Sequence, residues 1–268
     1  MPMIRFLLPA LALMSGIGPA AAQTPSEQVT IDAAMRRADL MYWYDQAAWH
    51  GTDDMLAKGK HVAERVGGWI VDGPADEPLL IFYSKDTDPV PVYLARFRNG
   101  KLVEGRLARA EETNLITPAR KRLVDAVGVA RDALRQANVA RCSDKPFNSI
   151  VLPAEVEGGP VRVYFLTPQT STDTLPFGGH YVIEVDSAGR SAPVRKFTNS
   201  CISVATKQPD GKSLGLVITH LLDPVPTEIH GFSAMAARVP VFVGTRDKRI
   251  WEVTPAATGP TVRLVQGD

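Results

Sequence analysis

Cysteine is scarce in this chain, with two among 268 residues, and neither sign of charge prevails, since 30 lysines and arginines face 29 aspartates and glutamates. The balanced charge gives no basic surplus to draw in nucleic acid or anionic lipid. Beyond a short apolar run at the start, no stretch approaches the roughly 20 apolar residues of a membrane span, so none is expected in the mature chain. Several signatures are missing as well: Gly-x-Ser-x-Gly, His-Glu-x-x-His, a phosphate loop, a dinucleotide-binding glycine pattern and Cys-x-x-Cys. Asp86-Thr87-Asp88 is too short for a calcium loop. These absences argue against the commonest hydrolase and nucleotide-binding designs. They leave open an enzyme whose residues are spread along the chain, and they name no cofactor.

What is present begins with an export signal. Arg5 closes a short n-region, Phe6 to Met14 is apolar, and Gly16, Gly18 and Pro19 break it. Ala20-Ala21-Ala22 then supplies the small residues of a cleavage site, which places the cut after Ala22. The destination this implies is the periplasm. In an oxidising compartment the default for Cys142 and Cys201 is a disulfide with each other. Closing that loop would stabilise the fold by about 4 kcal/mol.

The rest reads as an α+β chain in two regions, 23–140 mixed and 141–268 all β. From Ser26 to about Trp49 the apolar positions Ile31, Ala34, Met35, Ala38, Met41, Tyr42, Ala48 and Trp49 recur at helical steps. Ser26 or Thr30 can cap this helix, Gly51 is placed to stop it, and Thr52 to start a shorter one. A small antiparallel sheet follows, with Asn99-Gly100 as its hairpin turn. Thr117-Pro118 opens another helix running to about Asn138. Beyond Cys142, strands are expected over 149–152, 161–166, 180–186, 194–198, 213–221, 228–235, 239–243, 250–253 and 262–265. Short links between them suggest an antiparallel meander or partly closed barrel.

Histidine supplies the first candidate site. In Thr219-His220-Leu221-Leu222-Asp223-Pro224-Val225-Pro226-Thr227-Glu228-Ile229-His230-Gly231, a hairpin centred on Val225 would set His220 opposite His230, with Glu228 on the same face. A one-residue slip would undo this. His180 opens another strand, so His180, His220 and His230 could converge on a metal, with Glu228 as fourth ligand or base. The plainer reading makes them hydrogen-bonded members of a sheet. Asp45 supplies the second candidate. It lies within the apolar stripe of the first helix, a turn from Met41 and Trp49, so it needs a partner or a cleft. Tyr42, Trp49 and Met41 would then ring a pocket. Trp43 or Tyr44 points to the outside of the helix, to be covered by other elements or offered to a partner.

Five stretches taken together carry a resemblance: Tyr44 to Asp53, Pro146 to Pro153, Phe177 to Tyr181, Thr198 to Cys201, and His220 to His230. The set resembles a group of exported, uncharacterised proteins of proteobacteria of the sphingomonad type. The resemblance implies a Gram-negative periplasmic home and assigns no activity or site residue. The expectation is therefore an exported protein that binds a small ligand or an envelope partner without catalysis. Two others stand beside it: a metal-dependent or His/Glu-based hydrolase using His180, His220, Glu228 and His230, and a purely structural or protein-interaction module.

Overall fold

The structure, a computed structural model, describes residues 23–206 and 215–267. The expected leader, 1–22, and the start of the strand expected over 213–221 lie outside the described residues. The chain is α+β, as its patterning predicts, with four separate sheets and no closed barrel among the described residues.

The first helix, α1, spans Pro25–Ala57, about 50 Å of rod. Its cap is Thr24 rather than Ser26 or Thr30. The Thr24 hydroxyl accepts the Glu27 N–H at 3.2 Å and the Glu27 carboxylate accepts the Thr24 N–H at 2.9 Å, a reciprocal capping box. Gly51 does not end the helix. A Cβ there would lie 2.1 Å from Leu80 Cδ2, so glycine lets α1 seat against the neighbouring sheet. Thr52, expected to restart a helix, donates its hydroxyl to the Ala48 carbonyl at 2.6 Å within the same rod.

That sheet is β1 (Val66–Asp72), β2 (Leu79–Ser84), β3 (Pro91–Arg98) and β4 (Lys101–Leu107), antiparallel and in chain order. Asn99 and Gly100 both take positive φ, 47° and 73°, as the tight hairpin between β3 and β4 requires. A short helix, α2 (Lys60–Arg65), leads into it, and a 3-10 turn, Ala110–Leu115, leads out. Helix α3, Pro118–Gln136, is capped by Thr117 as its sequence indicates. Its stripe of Leu123, Val127, Ala130 and Leu134 is buried. Tyr44 is also buried, with its hydroxyl on the Gly73 carbonyl at 2.8 Å. Trp43 is half-buried and lies against Gly100.

The second sheet has the order β5 (Asn148–Leu152), β6 (Val161–Leu166), β8 (Tyr181–Val185), β9 (Arg195–Lys196), all antiparallel. Two short strands, β7 (Thr174–Pro176) and β10 (Ser203–Ala205), form a ribbon beside it. The last sheet joins β11 (Leu216–His220), β12 (Val241–Thr245), β13 (Ile250–Thr254) and β14 (Thr261–Gln266).

Here the structure corrects the sequence reading. The strand expected over 228–235 is a helix, α4 (Glu228–Ala237), and β11 runs parallel to β12. Parallel neighbours need a crossover between them, and α4 is that crossover, so the hairpin centred on Val225 does not form. Gly231 lets α4 approach α1 closely: a Cβ there would lie 2.5 Å from the Ala38 Cβ.

The regions on either side of residue 140 share their core. Met41, Tyr93 and Phe97 pack in one cluster with Leu152, Tyr164 and Ile229. Ile70, Leu94 and Leu134 pack in another with Val151, Val163 and Ile183. Cys142 and Cys201 are disulfide-bonded, joining the loop before β5 to the loop before β10. No helix among the described residues is long and apolar enough to cross a membrane.

Candidate functional site: a cavity between the first and fourth helices

The histidines meet, but not by the expected route. His220 ends β11 and His230 lies in the first turn of α4, with ring centroids 4.7 Å apart and planes at 80°. His220 Nε2 is 2.9 Å from Asp223 Oδ2, and Asp223 also accepts from Arg195 at 2.8 Å. His230 Nδ1 accepts the Thr227 N–H at 2.9 Å. His180 has both nitrogens engaged: Nδ1 accepts the Thr167 N–H at 3.1 Å and Nε2 donates to the Pro176 carbonyl at 3.0 Å. All three rings are buried. Burial lowers the His180 pKa to about 4. Burial, with neighbouring His220 adding to it, lowers that of His230 to about 3.

Glu228 turns to other partners. It accepts the Tyr164 hydroxyl at 2.9 Å and faces the Arg37 guanidinium at 3.4 Å. The helix explains the divergence. On a strand, residues 228 and 230 share a face; on a helix they point about 200° apart. Among the described residues no group of three or more His, Cys, Asp or Glu is placed to hold a metal ion. The convergence of His180, His220 and His230 on a metal, with Glu228 completing the set, is therefore not what the fold builds.

Asp45 faces a cavity of about 520 Å³, within the range of roughly 300–1,000 Å³ of small-molecule sites. Helix α1 supplies Tyr42, Asp45, Gln46 and Trp49 to its wall. The second sheet and the ribbon supply Leu166, Leu175 and Pro176, and α4 supplies Phe232, Ala236 and, at its end, Arg238. His180 and Thr167 lie on the same wall. Both are committed to the fold: the Thr167 hydroxyl sits 2.9 Å from the Gly178 and Gly179 carbonyls. Neither offers a free nucleophile or a base at neutral pH. Two of the three residues expected around Asp45, Tyr42 and Trp49, line this cavity; Met41 is wholly buried in the core behind it.

Asp45 is half-buried and forms no ion pair among the described residues. Burial raises its pKa to about 6, offset in part by the Gln46 side chain. Arg238 is exposed, and its guanidinium likewise forms no ion pair among the described residues. Its backbone ends α4 at φ 57°, in the left-handed region, with its N–H on the Ala234 carbonyl at 2.8 Å. Trp49 is 58% exposed and stacks on the His50 ring at 5.0 Å. The cavity thus combines apolar and aromatic groups with the amide side chains of Gln46, Asn148 and Gln169, and with one carboxylate and one guanidinium that each lack a charged partner among the described residues. Such a surface can orient a polar molecule while taking up its apolar part.

Sequence reasoning reached Asp45, Tyr42, Trp49 and His180, but missed Phe232 and Arg238. Phe232 was hidden by the misread strand. Nothing in the local pattern marks Arg238. No family model, curated protein or solved structure matches the chain.

Proposed function

We propose that this is an exported protein that binds a small ligand in the periplasm without transforming it. The observation that carries this reading is Asp45, a half-buried carboxylate without a cationic partner among the described residues, facing a cavity with mixed polar and apolar walls. A fold that keeps such a group unpaired spends stability on it, and a ligand that pairs with it returns that stability. The disulfide and the leader-like start of the sequence support an exported setting. The hydrolase reading finds less support. His180, His220, Glu228 and His230 are buried and bonded to neighbouring groups, and only His180 of the four lines the cavity.

The test is a small-molecule screen by ligand-observed NMR on the disulfide-bonded protein, covering cations, anions, zwitterions and neutral compounds. Ala236→Trp, at an exposed helical position on the cavity wall, serves as a blocked control. Compounds that bind the parent and not Ala236→Trp support the reading. No binding, or binding indifferent to Ala236→Trp, defeats it.

A further inference from the structure

Asp45 and Arg238 carry opposite charges on the wall of one cavity, yet they form no ion pair with each other or with another described residue. Other buried or half-buried charges in the fold are matched. Glu228 has Arg37, Asp223 has Arg195 and His220, and Glu27 has Arg249 at 2.6 Å. Two matched charges would need nothing from a ligand. Two unmatched charges of opposite sign describe what would complete them.

We infer, resting on the small-ligand reading above, that the ligand is a zwitterion with an apolar body, of the class of an apolar amino acid or short apolar peptide. Its ammonium group pairs with Asp45 and its carboxylate with Arg238. A simple cation would satisfy Asp45 but meet the Arg238 charge, and a simple anion would meet the converse. Tyr42, Trp49 and Phe232 line the same cavity, and aromatic rings favour a cation near them. Leu166 and Leu175 take the apolar side chain. The Arg238 guanidinium suits a carboxylate because its fork of donors can grip both oxygens. The ends of the ligand are thereby distinguished, since the two protein charges cannot be exchanged.

Three matched probes separate the two contacts: L-leucyl-L-phenylalanine, its C-terminal amide, which lacks the carboxylate, and its N-acetyl derivative, which lacks the ammonium. Calorimetric titration at neutral pH should give the dipeptide the highest affinity, with each modified probe weaker by at least about tenfold, the value of one charge-assisted hydrogen bond. Asp45→Asn should weaken the dipeptide and the amide but leave the N-acetyl probe unchanged. Arg238→Gln should weaken the dipeptide and the N-acetyl probe but leave the amide unchanged. Circular dichroism checks that both variants are folded, and Arg238→Gln, altering an exposed side chain, reads the carboxylate end even if Asp45→Asn fails to fold. If the three probes bind equally, or the variants weaken all of them alike, the zwitterion is wrong while the cavity remains a binding site. If no probe binds and the cavity-dependent compounds of the wider screen carry one charge or none, the same conclusion follows. If that screen also yields nothing, the small-ligand reading falls with it.

Discussion

At the corner between β11 and α4, His220 and Asp223 face each other and Arg195, while the edge of one imidazole meets the face of the next. At the far end of α4, Arg238 shares a cavity wall with Asp45 and neither has a charged partner among the described residues. The first place has committed its carboxylate and one nitrogen of each imidazole to the fold. The second has kept its carboxylate and guanidinium in reserve. Residue types that suggest chemistry in a sequence are also those best able to satisfy a buried backbone, so their presence alone does not mark a site. What marks one is a charged group that the fold leaves without a charge to match it.

The largest way to sharpen this contrast is to break a closed network. Glu228→Ala would leave the buried Tyr164 hydroxyl without its acceptor and Arg37 with only Glu155. Removing one partner of a buried ion pair costs about 3–5 kcal/mol, and a urea unfolding curve should show it. Ligand binding by the folded fraction should be unchanged. A loss under about 1 kcal/mol would mean this network is as slack as a surface pair.

Acid should next separate a group committed to the fold from one left unmatched, because their titrations run in opposite senses. His180 is held neutral, with its pKa lowered from 6.5 to about 4. Below pH 6.5 the unfolded chain takes up this proton more readily than the folded one. The stability it confers is therefore full above pH 6.5 and lost as pH falls towards 4, by about 3 kcal/mol at that point. His180→Gln should flatten this part of the stability profile. An unchanged acid slope in that variant would refute the assignment.

The smallest effect has the reverse sign. Asp45 has its pKa raised from 3.8 to about 6. Its folded form holds the proton more tightly, so its contribution favours the fold in acid and is lost as pH rises through 6. Asp45→Asn should accordingly raise stability at neutral pH by about 1–2 kcal/mol, after discounting for partial exposure, and change little at pH 4. Thermal melts at the two pH values measure this. Destabilisation at neutral pH would show that Asp45 has a structural partner after all.

Much of the fold was legible because its signals are local. Thr117-Pro118 capped a helix and Asn99-Gly100 turned a hairpin, as each dipeptide's backbone preferences require. The failures came where tertiary contact overruled a local signal. Gly51 resembles a helix stop, yet its lack of a side chain serves contact with Leu80, a residue remote in sequence. The helix from Glu228 was missed because its start uses an unusual residue. The third position of a capping box normally carries Glu or Gln, and here His230 accepts the N-cap N–H instead. Misreading that helix as a strand brought Glu228 and His230 onto one face and created a metal site on paper. Asp45 was legible because a carboxylate interrupting an apolar stripe is locally anomalous. Arg238 was not, since its significance lies in which cavity the helix end reaches.

Arg238 also bears on how this protein could change. It closes α4 in the left-handed conformation, at φ 57°, where glycine is the usual occupant and a side chain costs about 1 kcal/mol. Arg238→Gly would relieve that strain and remove the guanidinium from the cavity. Selection for thermostability alone would favour the glycine, and selection for discrimination among ligands would retain the arginine. At this one position the sturdiest version of the protein and the most selective one are different molecules.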